Sequence, residues 1–417
     1  MSTAPDIVYL HIGLHKTGTT YLQNVLRANR ELLLEQRVDF PGGPGGPVQA
    51  FAVWDLQGRR PRGADDARIA GSWTSLVDAV NISGCPTALI SEERLSLSTR
   101  KQVRQAVSSF PDSDVHVVVT ARDLGRVAVS AWQEEVKNDQ TWTWQEFVDA
   151  VKDPDKLAVS PARGFWLRQD LVTICQTWES AVPPERLHLV TVPQSGSSPQ
   201  VLLDRFASVV GFDASVLTEQ PAWNNETVGV AATEVLRRVN ERLDRRLNQR
   251  QYDRVIKLTV VQMLAKRTEP VRFTLPAEEL PWAIARAAEM ITALRSRPYA
   301  VVGDLDELRP QHRPGGRRPD DATDVELLEA AVDGLALLAE RYAATWWLRK
   351  KADVTDSTDR PVKLASAARG AVFRTQRRAA DLADRSPTAA RAMSLVSKAT
   401  RRTPRAADRG GSAAPPS

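Results

Sequence analysis

Residues 6–23 read DIVYLHIGLHKTGTTYLQ. The run Asp6–Ile12 is apolar and too short for a helix, so it reads as a buried strand. Gly13 ends it and Gly18 follows five residues on; from Thr19 onward, Leu22, Val25, Leu26, Leu33 and Leu34 fall at helical spacing. Strand, glycine-bearing loop and helix in that order bring free backbone N–H groups and the positive end of a helix dipole to one point. Such a point is a cradle for an anion.

The lysine stands in an unusual place. An ATP- or GTP-binding loop reads G-x-x-x-x-G-K-[ST], with lysine directly after the second glycine and a hydroxyl next for magnesium. Gly13 and Gly18 have that separation, but Thr19 occupies the lysine's position and the lysine is Lys16, on the crown of the loop. A magnesium-dependent enzyme also needs an acidic residue where a neighbouring apolar strand ends. The strand Val115–Ala121 (VHVVVTA) runs first into Arg122 and only then Asp123. An anion bound without magnesium fits this pattern better. A plain strand-to-helix turn with a solvent-facing lysine is the structural alternative; a P-loop kinase or NTPase is the rival enzyme class, and a catalytically silent nucleotide-binding module the rival outside enzymology.

The same grammar continues outward. Pro86–Ser91, Val115–Ala121 and Leu187–Val192 are apolar on both faces, with helical patterns between them. The expected fold class is α/β, a mostly parallel sheet covered by helices on both faces, with a helical C-terminal part. Thr143 and Glu146 read as a capping box, and PGGPGGP at 41–47 as a flexible excursion. After about residue 225 the strand signal fades, and residues 228–247, 251–267, 281–294 and 324–350 read as helices. The expected organisation is an α/β core over 1–222, a helical part over 223–350 packed on it, and a basic, partly disordered tail over 351–417.

Composition excludes several classes. The chain of 417 residues is 42% hydrophobic and 26% charged, and no apolar run approaches the roughly 20 residues of a spanning helix. The short run Ile7–Ile12 lacks the basic flank of a signal peptide, so the expected location is cytoplasmic. Cys85 and Cys175 cannot build a cluster, and His11 and His15, four apart across a strand end, read as structural histidines; no metal is expected. Residues 351–417 hold 14 basic and 6 acidic residues, a net +8, so residues 1–350 carry −3 of the chain's +5. The basicity belongs to the tail, and no nucleic-acid partner is expected. A solvated tail is the first reading there, with peripheral contact to acidic lipid headgroups or an acidic partner the second.

GLHKTGTTYLQ resembles the loop of sulfotransferases that use 3′-phosphoadenosine 5′-phosphosulfate (PAPS), G-x-x-K-[ST]-G-T-[TS] followed by an aromatic residue or leucine. The resemblance covers roughly residues 6–138. It is to the bacterial type, because no equivalent of the C-terminal glycine- and lysine-rich segment of the cytosolic animal branch is present. It implies a P-loop NTPase-like core with a donor site at Gly13, His15, Lys16, Thr17, Gly18, Thr19 and Thr20, where loop amides and Thr17, Thr19 and Thr20 hold the 5′-phosphosulfate. Lys16 would neutralise the bridging oxygen as the sulfuryl group leaves. It further implies that Arg122 and Ser130, eight residues apart in VVVTARDLGRVAVSAW, hold the 3′-phosphate, while Arg126 reads as a solvated charge. The catalytic base falls at the end of PTALIS, with Glu93 first, Glu92 the alternate, and His15 and His116 poorer candidates.

The products implied are adenosine 3′,5′-bisphosphate and a sulfated acceptor, the acceptor being a hydroxyl or amine of a small molecule, carbohydrate or glycolipid. Trp132, Trp142, Trp144, Trp166 and Trp223 are candidates for a ring-binding wall, with core packing as the alternative. Asn224, Asn225 and Glu226 read as a polar turn that borders it. Oligomeric state is not legible in the sequence.

Overall fold

The computed structural model of the chain describes residues 4–43, 45–61, 66–219, 228–265, 273–312 and 317–356. Six strands form one sheet: β1 (Ile7–His11), β2 (Val38–Asp39), β3 (Thr87–Ser91), β4 (Asp114–Ala121), β5 (Leu187–Thr191) and β6 (Ala300–Val302). Their order is β2-β3-β1-β4-β5-β6, and every neighbouring pair is parallel. Ile7 of β1 stands opposite Thr87 on one side and Asp114 on the other.

The inner strands β1, β3, β4 and β5 are largely buried on both faces, which is why they lack a polar stripe. Val8 and Leu10 of β1 and Val117 and Val119 of β4 pack into one cluster with Leu76, Trp178 and Ile291 from covering helices. Tyr9 and Val118 point the other way, into a second cluster with Leu22, Leu26 and Phe206. A third cluster is helical and centres on Trp132, Trp144 and Phe147. The capping box at Thr143 forms: its hydroxyl accepts from the Glu146 amide at 3.1 Å, and the Glu146 carboxylate accepts from the Thr143 amide at 2.9 Å.

Four strands agree with the sequence expectation, and two differ from it. β2 and β6 contain two and three residues, too few to show a period. β6 corrects the expectation that the strand signal ends near residue 225, since it pairs with β5 (His188 opposite Ala300) and closes one edge of the sheet. The helix Leu280–Arg295 before it supplies Met290, Ile291 and Leu294 to the main core. Residues Met1–Ala339 form one compact unit. In the second unit, Glu340–Ser417, the described residues continue the helix Asp324–Asp356, which therefore outruns its expected end at residue 350. The rest of the basic tail lies outside the described residues. Among those described, no helix is long and apolar enough to cross a membrane.

Candidate active site

In a parallel sheet, ligands collect beyond the carboxyl ends of the strands, where the chain departs to opposite edges. β1 sits between β3 and β4 here, and the residues after all three converge. The loop after β1 first prolongs its pairing with β4: the Ile12 amide donates to the Val118 carbonyl at 3.0 Å and the Leu14 amide to the Thr120 carbonyl at 2.9 Å. It then turns through three positive φ angles, Gly13 (+98°), Lys16 (+66°) and Gly18 (+89°), and enters the helix Thr19–Ala28.

Both glycines have steric reasons. A Cβ on Gly13 would stand 3.1 Å from the Cβ of Glu93, so its absence lets β3's following residue approach the loop. A Cβ on Gly18 would meet Leu202 Cδ2 at 2.6 Å. As the N-cap, Gly18 has no side chain to satisfy the first-turn amides, which stay available to a ligand. Gly18→Ala is expected to cost about 1–2 kcal/mol from the left-handed backbone alone, plus the displacement of Leu202. A chemical-denaturation midpoint unchanged from wild type would contradict this.

Beneath the loop lies a buried polar knot. His11 Nδ1 is 2.7 Å from Ser91 Oγ and its Nε2 is 3.3 Å from Thr120 Oγ1, while Thr17 Oγ1 is 2.6 Å from Thr120 Oγ1 and donates to the Leu14 carbonyl at 2.6 Å. Thr17 is fully buried. This corrects the expectation that its hydroxyl holds an anion: the hydroxyl is turned inward and serves the loop's own geometry.

Burial pushes the His11 imidazole down to about 3. His188, hydrogen-bonded to His116 at 2.8 Å, is lowered to about 4 by burial and by that neighbour. An imidazole whose folded pKa lies below its ordinary value sheds its proton on folding. Its contribution to stability is complete above about pH 6.5 and is lost progressively as pH falls, towards about 4 for His188 and about 3 for His11. Stability should therefore fall on acidification below about pH 6.5, approaching about 1.4 kcal/mol per pH unit from His11 alone, and the thermal midpoint should fall with it. The drop should be shallower in His11→Gln; an identical slope in that variant would contradict the assignment.

Above the loop, one cavity of about 860 Å³ gathers Lys16, Gly18, Thr19 and Thr20 from the first loop, Glu93 from the residues after β3, and Arg122 and Ser130 from the end of β4 and the helix Leu124–Lys137. Gly13 and His15 do not line it. Arg122 Nη1 donates to the Lys16 carbonyl at 3.2 Å, which fixes the crown of the loop against β4.

The two glutamates part company. Glu93 faces the cavity, accepts a short hydrogen bond from the Thr19 hydroxyl, and lies 3.9 Å from His15 Nε2. Glu92 is buried and holds Arg94 Nη1 at 2.6 Å; burial raises its pKa against the pull of Arg94. Adjacent residues in extended backbone face opposite ways, and the chain spends Glu92 on structure.

Lys16 Nζ donates to Glu134 Oε2 at 2.8 Å. Burial pushes the Glu134 carboxyl up, but Lys16, Lys137 and Lys257 outweigh it and hold the group at about 2, so it is ionised at neutral pH. Lys137 also lines the cavity, its pKa lowered by burial and by the two neighbouring lysines.

Arg126 is not the solvated charge expected. It is only 12% exposed, is paired through Nε with Asp123, and donates through Nη1 to the Pro193 carbonyl at 3.0 Å. Asp123 in turn caps the helix through the Arg126 amide at 2.9 Å.

Sequence reasoning missed Glu134, Lys137 and the stretch Gln194–Pro199 after β5, which also lines the cavity. The glycine and serines of that stretch, directly after a core strand, were the available signal. The tryptophans fall largely to packing: Trp132 and Trp144 are fully buried, and Trp142 and Trp166 pack against the same cluster. Trp223, Asn224, Asn225 and Glu226 lie outside the described residues.

No family model matches the chain, and no curated protein does. Among solved structures, a sulfotransferase from Alicyclobacillus acidocaldarius is similar at 13% identity and a TM-score of 0.35, covering 60% of this chain and 98% of that one. The sulfotransferase domain from the curacin biosynthetic pathway is similar at 12% identity and a TM-score of 0.29, covering 68% and 98%. At these values the likeness is too distant to bear on activity.

Proposed function

We propose that the chain is a sulfotransferase moving the sulfuryl group of PAPS to a hydroxyl or amine of a small molecule, glycan or glycolipid. One observation carries this reading: Lys16, Thr19, Thr20, Glu93, Arg122 and Ser130, singled out in three separate stretches of sequence, line a single cavity at the carboxyl edge of the sheet.

In this reading the first-turn amides, Thr19 and Thr20 bind the 5′-phosphosulfate, and Arg122 and Ser130 the 3′-phosphate. The bond between sulfur and the bridging oxygen breaks, its electron pair staying on the phosphate, while the acceptor's oxygen or nitrogen bonds to sulfur. Lys16 leaves Glu134 to stabilise the charge gathering on the bridging oxygen, and Glu93 takes the acceptor's proton. No metal enters. Asp123, the first carboxylate after β4, is committed to Arg126 and the helix cap, and Lys16 stands off the position a kinase or NTPase loop gives its lysine; both count against that alternative.

The test is transfer from sulfur-labelled PAPS to a metabolite extract. Protein-dependent labelling of an extract component is expected. Donor binding with no labelled product would favour a silent nucleotide-binding module.

A further inference from the structure

A second cavity, of about 400 Å³, is lined by His15, Trp54, Arg59, Arg60, Arg94 and Arg168 together with Pro61 and Leu97. Two dipeptides place residues in both cavities. Lys16 and Glu93 line the larger cavity, and their chain neighbours His15 and Arg94 line the smaller. The His15 imidazole, on the smaller cavity, stands 3.9 Å from Glu93, on the larger.

The lining is cationic: four arginines and no carboxylate. Three of the four lean on carboxylates outside the lining, Arg94 on Glu92 at 2.6 Å, Arg60 on Asp55 at 3.3 Å and Arg168 on Glu135 at 3.3 Å. Those pairs orient the guanidinium groups without filling the cavity. Between about 36% and 40% of each side chain is exposed, leaving donors for a further oxyanion. Trp54 forms a flat wall, stacked on Phe51 at 5.5 Å with Arg94 over its ring at 5.2 Å. His15 Nδ1 is buried with no hydrogen-bond partner, an unsatisfied polar atom on a residue of this lining. A concave site with charge of one sign focuses its field and selects a ligand of the other.

Resting on the transfer reading above, we propose that this cavity is the acceptor subsite, and that the acceptor carries an oxyanion (carboxylate, sulfate or phosphate) besides the group that takes the sulfuryl. Arg59, Arg60, Arg94 and Arg168 hold the oxyanion by forked hydrogen bonds. The rest of the acceptor reaches Glu93 past His15. The residues that select the acceptor are thus separate from those that hold the donor.

The test titrates full-length protein with phenyl phosphate, phenyl sulfate and benzoate, with benzyl alcohol as the uncharged control, and separately with adenosine 3′,5′-bisphosphate. At least one anion should bind about tenfold or more tighter than benzyl alcohol, and their ranking identifies the oxyanion preferred. The preference should vanish in Arg59→Ala with Arg168→Ala, the first position exposed and the second half-buried beside Glu135, and persist in Lys16→Ala. Adenosine 3′,5′-bisphosphate should bind wild type and the arginine double variant alike. Anions binding no better than benzyl alcohol, or a preference lost in Lys16→Ala and kept in the double variant, overturns the subsite. Failure of adenosine 3′,5′-bisphosphate to bind wild type overturns the transfer reading instead, independently of the anion result. A labelled product from the extract that behaves as singly charged on anion exchange would also overturn an anionic acceptor.

Discussion

Lys16→Ala should lower kcat for sulfuryl transfer by about 10²–10³-fold or more. The ammonium is the cation on the crown of the loop, lining the cavity beside Gly18 and Thr19. Charge on the bridging oxygen develops only as the sulfur departs, so the interaction is one of the transition state and appears in kcat. The substitution has a second effect. Glu134, ionised and 2.8 Å from Lys16, loses its closest cation and is left as a negative charge facing an anionic donor. Donor affinity should therefore also fall in Lys16→Ala and recover when Glu134→Gln is added, while turnover stays lost. Recovery of turnover in the double variant would contradict the role of Lys16.

Glu93→Gln should lower kcat by about 10²–10⁴-fold and change affinity for adenosine 3′,5′-bisphosphate by about twofold at most. Glutamine keeps a carbonyl oxygen to accept from the Thr19 hydroxyl, so the wall of the cavity is preserved while the proton acceptor is removed. Glu92→Gln should behave in the opposite sense. It weakens the pair with Arg94 and costs stability, but leaves turnover nearly intact, because Glu92 is buried away from the cavity. Full turnover in Glu93→Gln with loss in Glu92→Gln would reverse the assignment.

What the sequence disclosed follows from where information is local. β1, β3, β4 and β5 were legible because strands buried on both faces are continuous apolar runs. Lys16, Glu93 and Arg122 were legible because a residue just past such a strand is carried to the sheet's carboxyl edge, whatever else the chain does. β2 and β6 were not, since two or three residues show no period.

Side-chain direction was the harder matter. Nothing near Thr17 announces that Thr120, 103 residues away, will take its hydroxyl, and nothing near Arg126 announces the carbonyls of Val192 and Pro193. The partner of Lys16 is 118 residues along the chain. The arginines of the second cavity come from three stretches, and none of them forms a motif alone. Such contacts are products of packing, which a local pattern does not encode.

The most direct measurement of the central claim is a calorimetric titration of the full-length protein with adenosine 3′,5′-bisphosphate in the presence of a chelator, beside one with ATP and magnesium. The displaced Lys16, the Arg122–Ser130 pair and the engagement of Asp123 by Arg126 predict tight 1:1 binding of the bisphosphate without magnesium, with much weaker binding of ATP with it. Tighter, magnesium-dependent binding of ATP would contradict the account.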